Sequence, residues 1–124
     1  MNFSATIRHS GPASLVDLQG RLTFLEAGAL GDSIARLLRE GRKNFILNLS
    51  RLEYLDSSGI GELARIYVMV VKAGGEMKTV GLTPNVEEVL KVTRLYQVFP
   101  EFPDEQAAMQ SFSPGAKTRP PEST

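Results

Sequence analysis

The sequence predicts an α/β domain built on a mixed sheet of four to five strands with about four helices. Near the N-terminus, apolar and polar residues alternate with the period of a strand that has one wet face. Further along, short apolar runs are separated by segments whose apolar residues recur every three or four positions, the mark of amphipathic helices. Strands joined through helices run parallel, whereas the alternating pair at the start is linked by a turn and runs antiparallel.

Phe3, Ala5 and Ile7 alternate with Ser4, Thr6 and Arg8, then Ser10-Gly11-Pro12 supplies turn residues before Leu15-Val16-Asp17-Leu18 resumes the extended pattern. A hairpin over residues 2–9 and 13–19 follows. Thr23 and Glu26 have capping-box spacing, and Ala27, Leu30, Ile34, Leu37 and Leu38 continue as the inner face of a helix. Gly41 stands where a helix ends in a left-handed residue. Phe45-Ile46-Leu47-Asn48-Leu49 reads as a strand covered on both faces, followed by a loop over 51–55.

A second helix opens at Asp56-Ser57-Ser58 and runs to about Ala73, where Gly74-Gly75 stops it. Ile60, Leu63, Ala64, Tyr67 and Val71 are its expected buried face. Ile66 and Met69 fall off that face, near Glu62 and Arg65. Met77 to Val80 forms the next strand, and Thr83-Pro84 opens a third helix with Val86, Val89 and Leu90 inward. A short extended piece near Val98-Phe99 and a last helix from Asp104 to about Ser111 complete a domain over residues 1–112. Residues 113–124 hold three prolines, one glycine and no large apolar side chain, the composition of a disordered tail.

A chain of 124 residues suits one domain. It has no cysteine, which removes disulfides, thiolate metal sites and cysteine nucleophiles. Fourteen basic residues balance fourteen acidic ones without a basic block, so direct nucleic-acid binding has no electrostatic source. The N-terminus is no signal peptide, and the longest apolar stretch, Ile66 to Val71, is far short of the roughly 20 residues of a membrane span. The expectation is a cytoplasmic protein without a membrane segment.

The segment with the most chemistry is Asp56-Ser57-Ser58-Gly59. It follows a buried strand and opens a helix, and in open α/β sheets the carboxyl ends of strands are where ligands and partners are met. Asp56 or Ser57 can accept hydrogen bonds from the first helical turn, so the local pattern reads first as a helix cap, a reading compatible with an exposed serine that is also modified. Gly59 and Gly61 leave the turn bare enough for another protein to approach. A serine hydrolase is improbable: no Gly-x-Ser-x-Gly surrounds these serines, and the only histidine, His9, lies in the first strand. Gly59-Ile60-Gly61 is only a fragment of a dinucleotide fingerprint, so no cofactor is called for, although a nucleotide at this helix N-terminus is physically possible. No histidine–carboxylate cluster has metal spacing. Ile66 and Met69 either dock a partner or pack on a neighbouring helix.

These residues resemble the STAS family, and within it the anti-sigma factor antagonists. The motif is Asp56-Ser57-Ser58-Gly59-Ile60-Gly61 after the strand Phe45-Ile46-Leu47-Asn48-Leu49, supported by Gly20-Arg21-Leu22 and Gly74-Gly75-Glu76-Met77. The resemblance spans roughly residues 2–111. It implies partner switching: the unphosphorylated antagonist binds an anti-sigma factor that is also a serine kinase, and so frees a sigma factor for transcription. The kinase uses ATP to phosphorylate Ser57, the antagonist lets go, and a metal-dependent serine phosphatase restores it. The resemblance places Asp56, Ser58 and Gly59 in the kinase contact and the second helix beneath much of it, with Ile60, Glu62, Ile66 and Met69 as contact candidates. Two positions depart from the family pattern. Thr23 stands where many relatives have aspartate, and Glu62 where the residue is often apolar; both are candidate contacts. The chain itself would be no enzyme. The same fold also serves scaffold or accessory proteins of signalling assemblies and membrane transporters, without a sigma factor. Ile66 and Met69 would equally serve a weak homodimer.

Overall fold

Residues 3–112 are described by the structure, a computed structural model. β1, Ser4–Ser10, turns at Gly11 (φ 57°) into β2, Ala13–Leu22, and the two pair antiparallel as the alternation predicts. α1, Phe24–Arg39, leads to β3, Asn44–Leu55; α2, Ser57–Lys72, leads to β4, Glu76–Val80. α3, Pro84–Val92, is followed by a 3-10 turn at Leu95–Gln97, by β5, Glu101–Phe102, and by α4, Glu105–Ser111. Strand order is β1-β2-β3-β4-β5, with every pairing after the hairpin parallel. No helix among the described residues is long and apolar enough to cross a membrane. The tail expected over 113–124 lies outside the described residues.

Two elements differ from expectation. The loop foreseen over 51–55 is strand: Leu52, Tyr54 and Leu55 pair with Gly20, Arg21 and Leu22, and two register shifts absorb the twist. The partner strand supplies ladder hydrogen bonds that a polar local sequence does not advertise. The extended piece foreseen near Val98-Phe99 is instead the exit of the 3-10 turn, entered through Arg94 in the left-handed region (φ 65°), and the strand begins two residues later. Phe99 is buried edge-to-face on Tyr67, with ring centroids 5.9 Å apart.

The sheet is covered unequally. Val16, Leu18 and Leu22 of β2 and Phe45, Leu47 and Leu49 of β3 pack with α1, α2 and α3 in the larger core. The alternate residues Leu15 and Ile46 join Val80, Ala108 and Phe112 beneath α4. β3 is thus buried on both faces over its first half, which explains its unbroken apolar run. Glu105 holds the start of α4 down by accepting from Arg8 Nη2 (2.7 Å) and Asn48 Nδ2 (2.9 Å).

α2 is rotated relative to its expected orientation. Its buried residues are Gly59, Glu62, Leu63, Ile66 and Val70, while Val71 faces outward and Ile60, Ala64 and Tyr67 form a half-buried flank. Ile66 is 0% exposed, which corrects its assignment to an outer docking surface. α2 is covered on two sides, by the sheet and by α1. The flank carrying Glu62 and Ile66 faces α1, where Gly31 lies against the Glu62 carboxylate and the Arg65 guanidinium. A Cβ on Gly31 would occupy the space those side chains fill. Arg65 bonds Glu62 through two nitrogens, at 3.0 and 2.7 Å, and these hydrogen bonds hold its pKa above the usual guanidinium value. A glutamate only 9% exposed is therefore compatible with the seam, because its charge is paired there.

Ile66→Ala should lower unfolding free energy by about 2–5 kcal/mol, the cost of truncating a fully buried aliphatic side chain. Met69→Ala, at a half-buried position, should cost markedly less. Urea unfolding followed by circular dichroism separates the two, and equal small effects would contradict the burial of Ile66.

Candidate functional site

β2 and β3 end side by side: Leu22 pairs with Leu55, so α1 and α2 begin next to each other at the carboxyl edge of the sheet. The Asp56 N–H donates to the Leu22 carbonyl (3.3 Å), and the Asp56 side chain accepts from the Gly59 N–H (2.9 Å). Asp56 is therefore the cap of α2. Of the two cap candidates open in the sequence, the carboxylate takes the role and Ser57 becomes the first residue inside the helix, exposed to solvent. Ser58 is exposed beside it.

Gly59 is buried, and its bareness serves the interior. A Cβ there would lie 2.5 Å from the Leu22 carbonyl oxygen and 3.1 Å from Leu55 Cβ. The expectation that Gly59 contacts a partner is corrected in this sense: its missing side chain lets α2 settle onto the end of β2. Gly61 is exposed, with open space where a Cβ would be, and its surface is free for an approach. Ile60 is half-buried against the core, as is Met69.

Thr23 precedes α1 in extended conformation, half-buried. Its hydroxyl donates to Glu26 Oε1 (2.9 Å), so the two side chains of the expected capping box bond each other and cap no backbone N–H. Of the candidate residues, Thr23, Asp56, Ser57 and Ser58 gather at this one edge, while Glu62, Ile66 and Met69 lie further down the α1–α2 seam.

An exposed stripe on α2 and two exposed side chains of α1 escaped the sequence reading. Ser57, Gly61, Ala64 and Val68 follow at intervals of four, three and four, so they form one stripe on α2, continued by Val71 and flanked by Arg65 and Lys72. Ala64 is half-buried and the others are exposed. Phe24 and Leu25, in the first turn of α1, are 69% and 74% exposed. Tyr54, also exposed, lies under the Arg21 guanidinium, 4.1 Å from its ring centre. On the far flank, a cavity of about 360 Å³ is lined by Tyr54, Leu55, Asn85, Val86, Glu88 and Val89. The signal for the stripe was present as the helical spacing from Ser57, and for Leu25 as its position outside the Ala27–Leu30–Ile34 series; Phe24 is in register with that series and is exposed because it stands at the open end of the helix.

Chemically the site offers a hydroxyl at a helix N-terminus with a carboxylate as its neighbour. His9 lies within 3.0 Å of Ser14 Oγ at the start of β2. That is roughly 25 Å along the strand from Leu22, so the imidazole is no base for Ser57. Among the described residues, no group of His, Cys, Asp and Glu side chains could hold a metal ion.

The two glycines should respond oppositely to alanine. Gly59→Ala meets a backbone carbonyl and should cost about 1–3 kcal/mol. Gly61→Ala fills open solvent on a helix and should stabilise by about 0.5–1 kcal/mol. Thermal unfolding of both variants checks the pair, and a stabilised Gly59→Ala would refute the close approach of α2 to Leu22.

A family model for the STAS domain matches residues 4–108. The anti-sigma F factor antagonist of Paenibacillus polymyxa is 24% identical over 110 residues, covering 88% of this chain and 94% of that protein. Among solved structures, an anti-sigma factor antagonist from Mycobacterium paratuberculosis is similar with a TM-score of 0.78 and 24% identity, over 89% of this chain and 93% of that one. The Bacillus cell fate determinant SpoIIAA in its phosphorylated form is similar with a TM-score of 0.70 and 18% identity, over 88% and 100%. With that match spanning the sheet, the Asp56 cap with Ser57 and all but the end of α4, the chain belongs to the STAS domain family.

Proposed function

We propose that this chain is an anti-sigma factor antagonist switched by phosphorylation of Ser57. Unphosphorylated, it binds an anti-sigma factor with serine kinase activity and so releases a sigma factor. Phosphorylated, it lets go, and a metal-dependent serine phosphatase returns it to the binding form. The observation that carries the reading is the division of labour at the start of α2. Asp56 caps the helix, so the Ser57 hydroxyl is exposed and takes no part in the cap. The names of the similar antagonists support the same role.

In the forward step, Ser57 Oγ attacks the γ-phosphorus of ATP on the kinase. The new O–P bond forms as the bond from that phosphorus to the β–γ bridging oxygen breaks. ADP leaves and the hydroxyl proton passes to a base of the kinase, so Ser57 is substrate throughout. The phosphate brings nearly two negative charges to the head of the exposed stripe Gly61–Ala64–Val68. The positive end of the α2 dipole tolerates it, whereas an apolar partner surface seated over Ser57 does not. Release therefore follows from the charge at the contact and needs no rearrangement of the core. Dependence on ATP places the switch in the cytoplasm.

The test is to incubate the purified chain with the serine-kinase anti-sigma factor of its source organism, magnesium and ATP. A single phosphate should be gained on Ser57 and be absent from Ser57→Ala. Ser57→Asp should bind the kinase about tenfold or more weakly, with an unchanged circular dichroism spectrum. Phosphate gain that persists in Ser57→Ala would defeat the assignment.

A further inference from the structure

We propose that Phe24 and Leu25 are an apolar anchor for the same protein that takes Ser57, so that its docking surface spans the starts of α1 and α2. This rests on the partner-switching reading of Ser57 and adds residues to it. The two side chains are 69% and 74% exposed, in the first turn of a helix that buries Ala27, Leu30, Gly31, Ile34 and Leu37. Leu25 lies off that buried stripe, and Phe24 continues one edge of it at the open end of the helix, where it stays exposed. Among the described residues, the exposed large apolar side chains are Phe24, Leu25, Tyr54, Val68, Val71, Val92 and Val98. All but Val92 and Val98 lie on the outer stripe of α2 or at the edge where α1 and α2 begin. Such clustering marks an interaction surface more than scattered exposure does.

Continuity with Ser57 follows from the chain path. The Leu22 carbonyl receives the Asp56 N–H and abuts Gly59, so Thr23–Leu25 and Asp56–Ser58 leave the sheet side by side. Phe24 precedes Gly31 by two helical turns and shares its stripe, and Gly31 touches Glu62 and Arg65 of α2. Phe24 therefore stands over the α1–α2 seam, and its Cβ is tilted toward the open end of α1. A surface lowered onto Ser57 meets Phe24 on one side and Val68 further down α2. The fitting partner has an apolar socket for two adjacent side chains, next to a recess for an uncharged hydroxyl. An acidic group on that partner would complement Lys72, the cation beside the far end of the α2 stripe.

The experiment compares the full chain with a double variant, Phe24→Ser with Leu25→Ser, and with the milder Leu25→Ser alone. The kinase is the serine-kinase anti-sigma factor of the source organism. The readouts are KM and kcat for Ser57 phosphorylation, the affinity of unphosphorylated chain for kinase by calorimetry, and mass by light scattering. Expected is a KM and a Kd raised about tenfold or more in the double variant, with kcat within about twofold and unchanged unfolding midpoints. Wild-type KM and Kd in the double variant would overturn the anchor and leave the Ser57 switch standing. A wild-type dimer that the substitutions disperse, with kinase affinity unchanged, would assign the patch to self-association and overturn it too. If wild type binds the kinase but is not phosphorylated, the switch fails while the affinity comparison still decides the anchor. Failure of wild type to bind at all overturns both.

Discussion

The Leu22 carbonyl is the contact on which the exposure of Ser57 depends. β2 and β3 are parallel and end in register at Leu22 and Leu55, so their two helices must start within a side chain's width of each other. The Leu22 oxygen takes the Asp56 N–H, and Gly59 closes on it from the first turn of α2. With a side chain at 59, the helix would lift from the sheet by the radius of a methyl group. With the N–H of Asp56 unpaired, the turn would lose its orientation. Asp56 is thereby held in extended conformation, the geometry in which its carboxylate reaches back to Gly59 N. Ser57 is exposed while Asp56 before it and Gly59 two residues after it are committed to these contacts.

A second constraint sets the rotation of α2 about its own axis. The Glu62–Arg65 pair fills the space left by Gly31, which lets α1 and α2 approach closely along one flank. Glu62 is thereby drawn under cover and Ile66, one turn further on, into the core. The opposite side must then face water, and that side begins with Ser57 and continues through Gly61 and Val68. A charged pair at the seam and an apolar stripe outside are two consequences of one rotation. An isolated surface ion pair contributes little stability, but the cost of leaving Glu62 buried and unpaired is large. Arg65 therefore acts chiefly by making the rotation tolerable.

The order of elements was legible in the sequence because it rests on periodicity and on caps. The hairpin, the three helix starts at Asp56, Thr83 and Asp104, and the left-handed stop at Gly41 appear where their residues indicate. The strand through Arg51–Leu55 was not legible, because its ladder is supplied by β2 across a bulged register and not by local preference. The buried face of α2 was misjudged by roughly a quarter turn. A nearly all-apolar helix with one glutamate invites the glutamate to be placed outside, and only Gly31, on another helix, makes room for it inside. The site was legible as a motif, whereas its role assignment was not. Asp56 and Ser57 are both competent caps, and the choice between them is made by the distance to Gly59 N.

That choice would let a phosphate on Ser57 act without unfolding the domain. A phosphate on a capping hydroxyl would remove the acceptor that the helix needs, and the signal would be partial loss of structure. With Asp56 as cap, the added charge sits at the first helical residue, outside every hydrogen bond that holds the turn to Leu22. The unpaired N–H groups of that turn favour the negative charge, and the Asp56 carboxylate opposes it, so the net effect on the helix itself is small. The difference between the two proposed states would then be concentrated at the surface, over Ser57 and the stripe it heads. Under the proposed switch, the free-energy difference would come from the bound complex, where burying two charges is costly, and the free chain would be equally folded in both states.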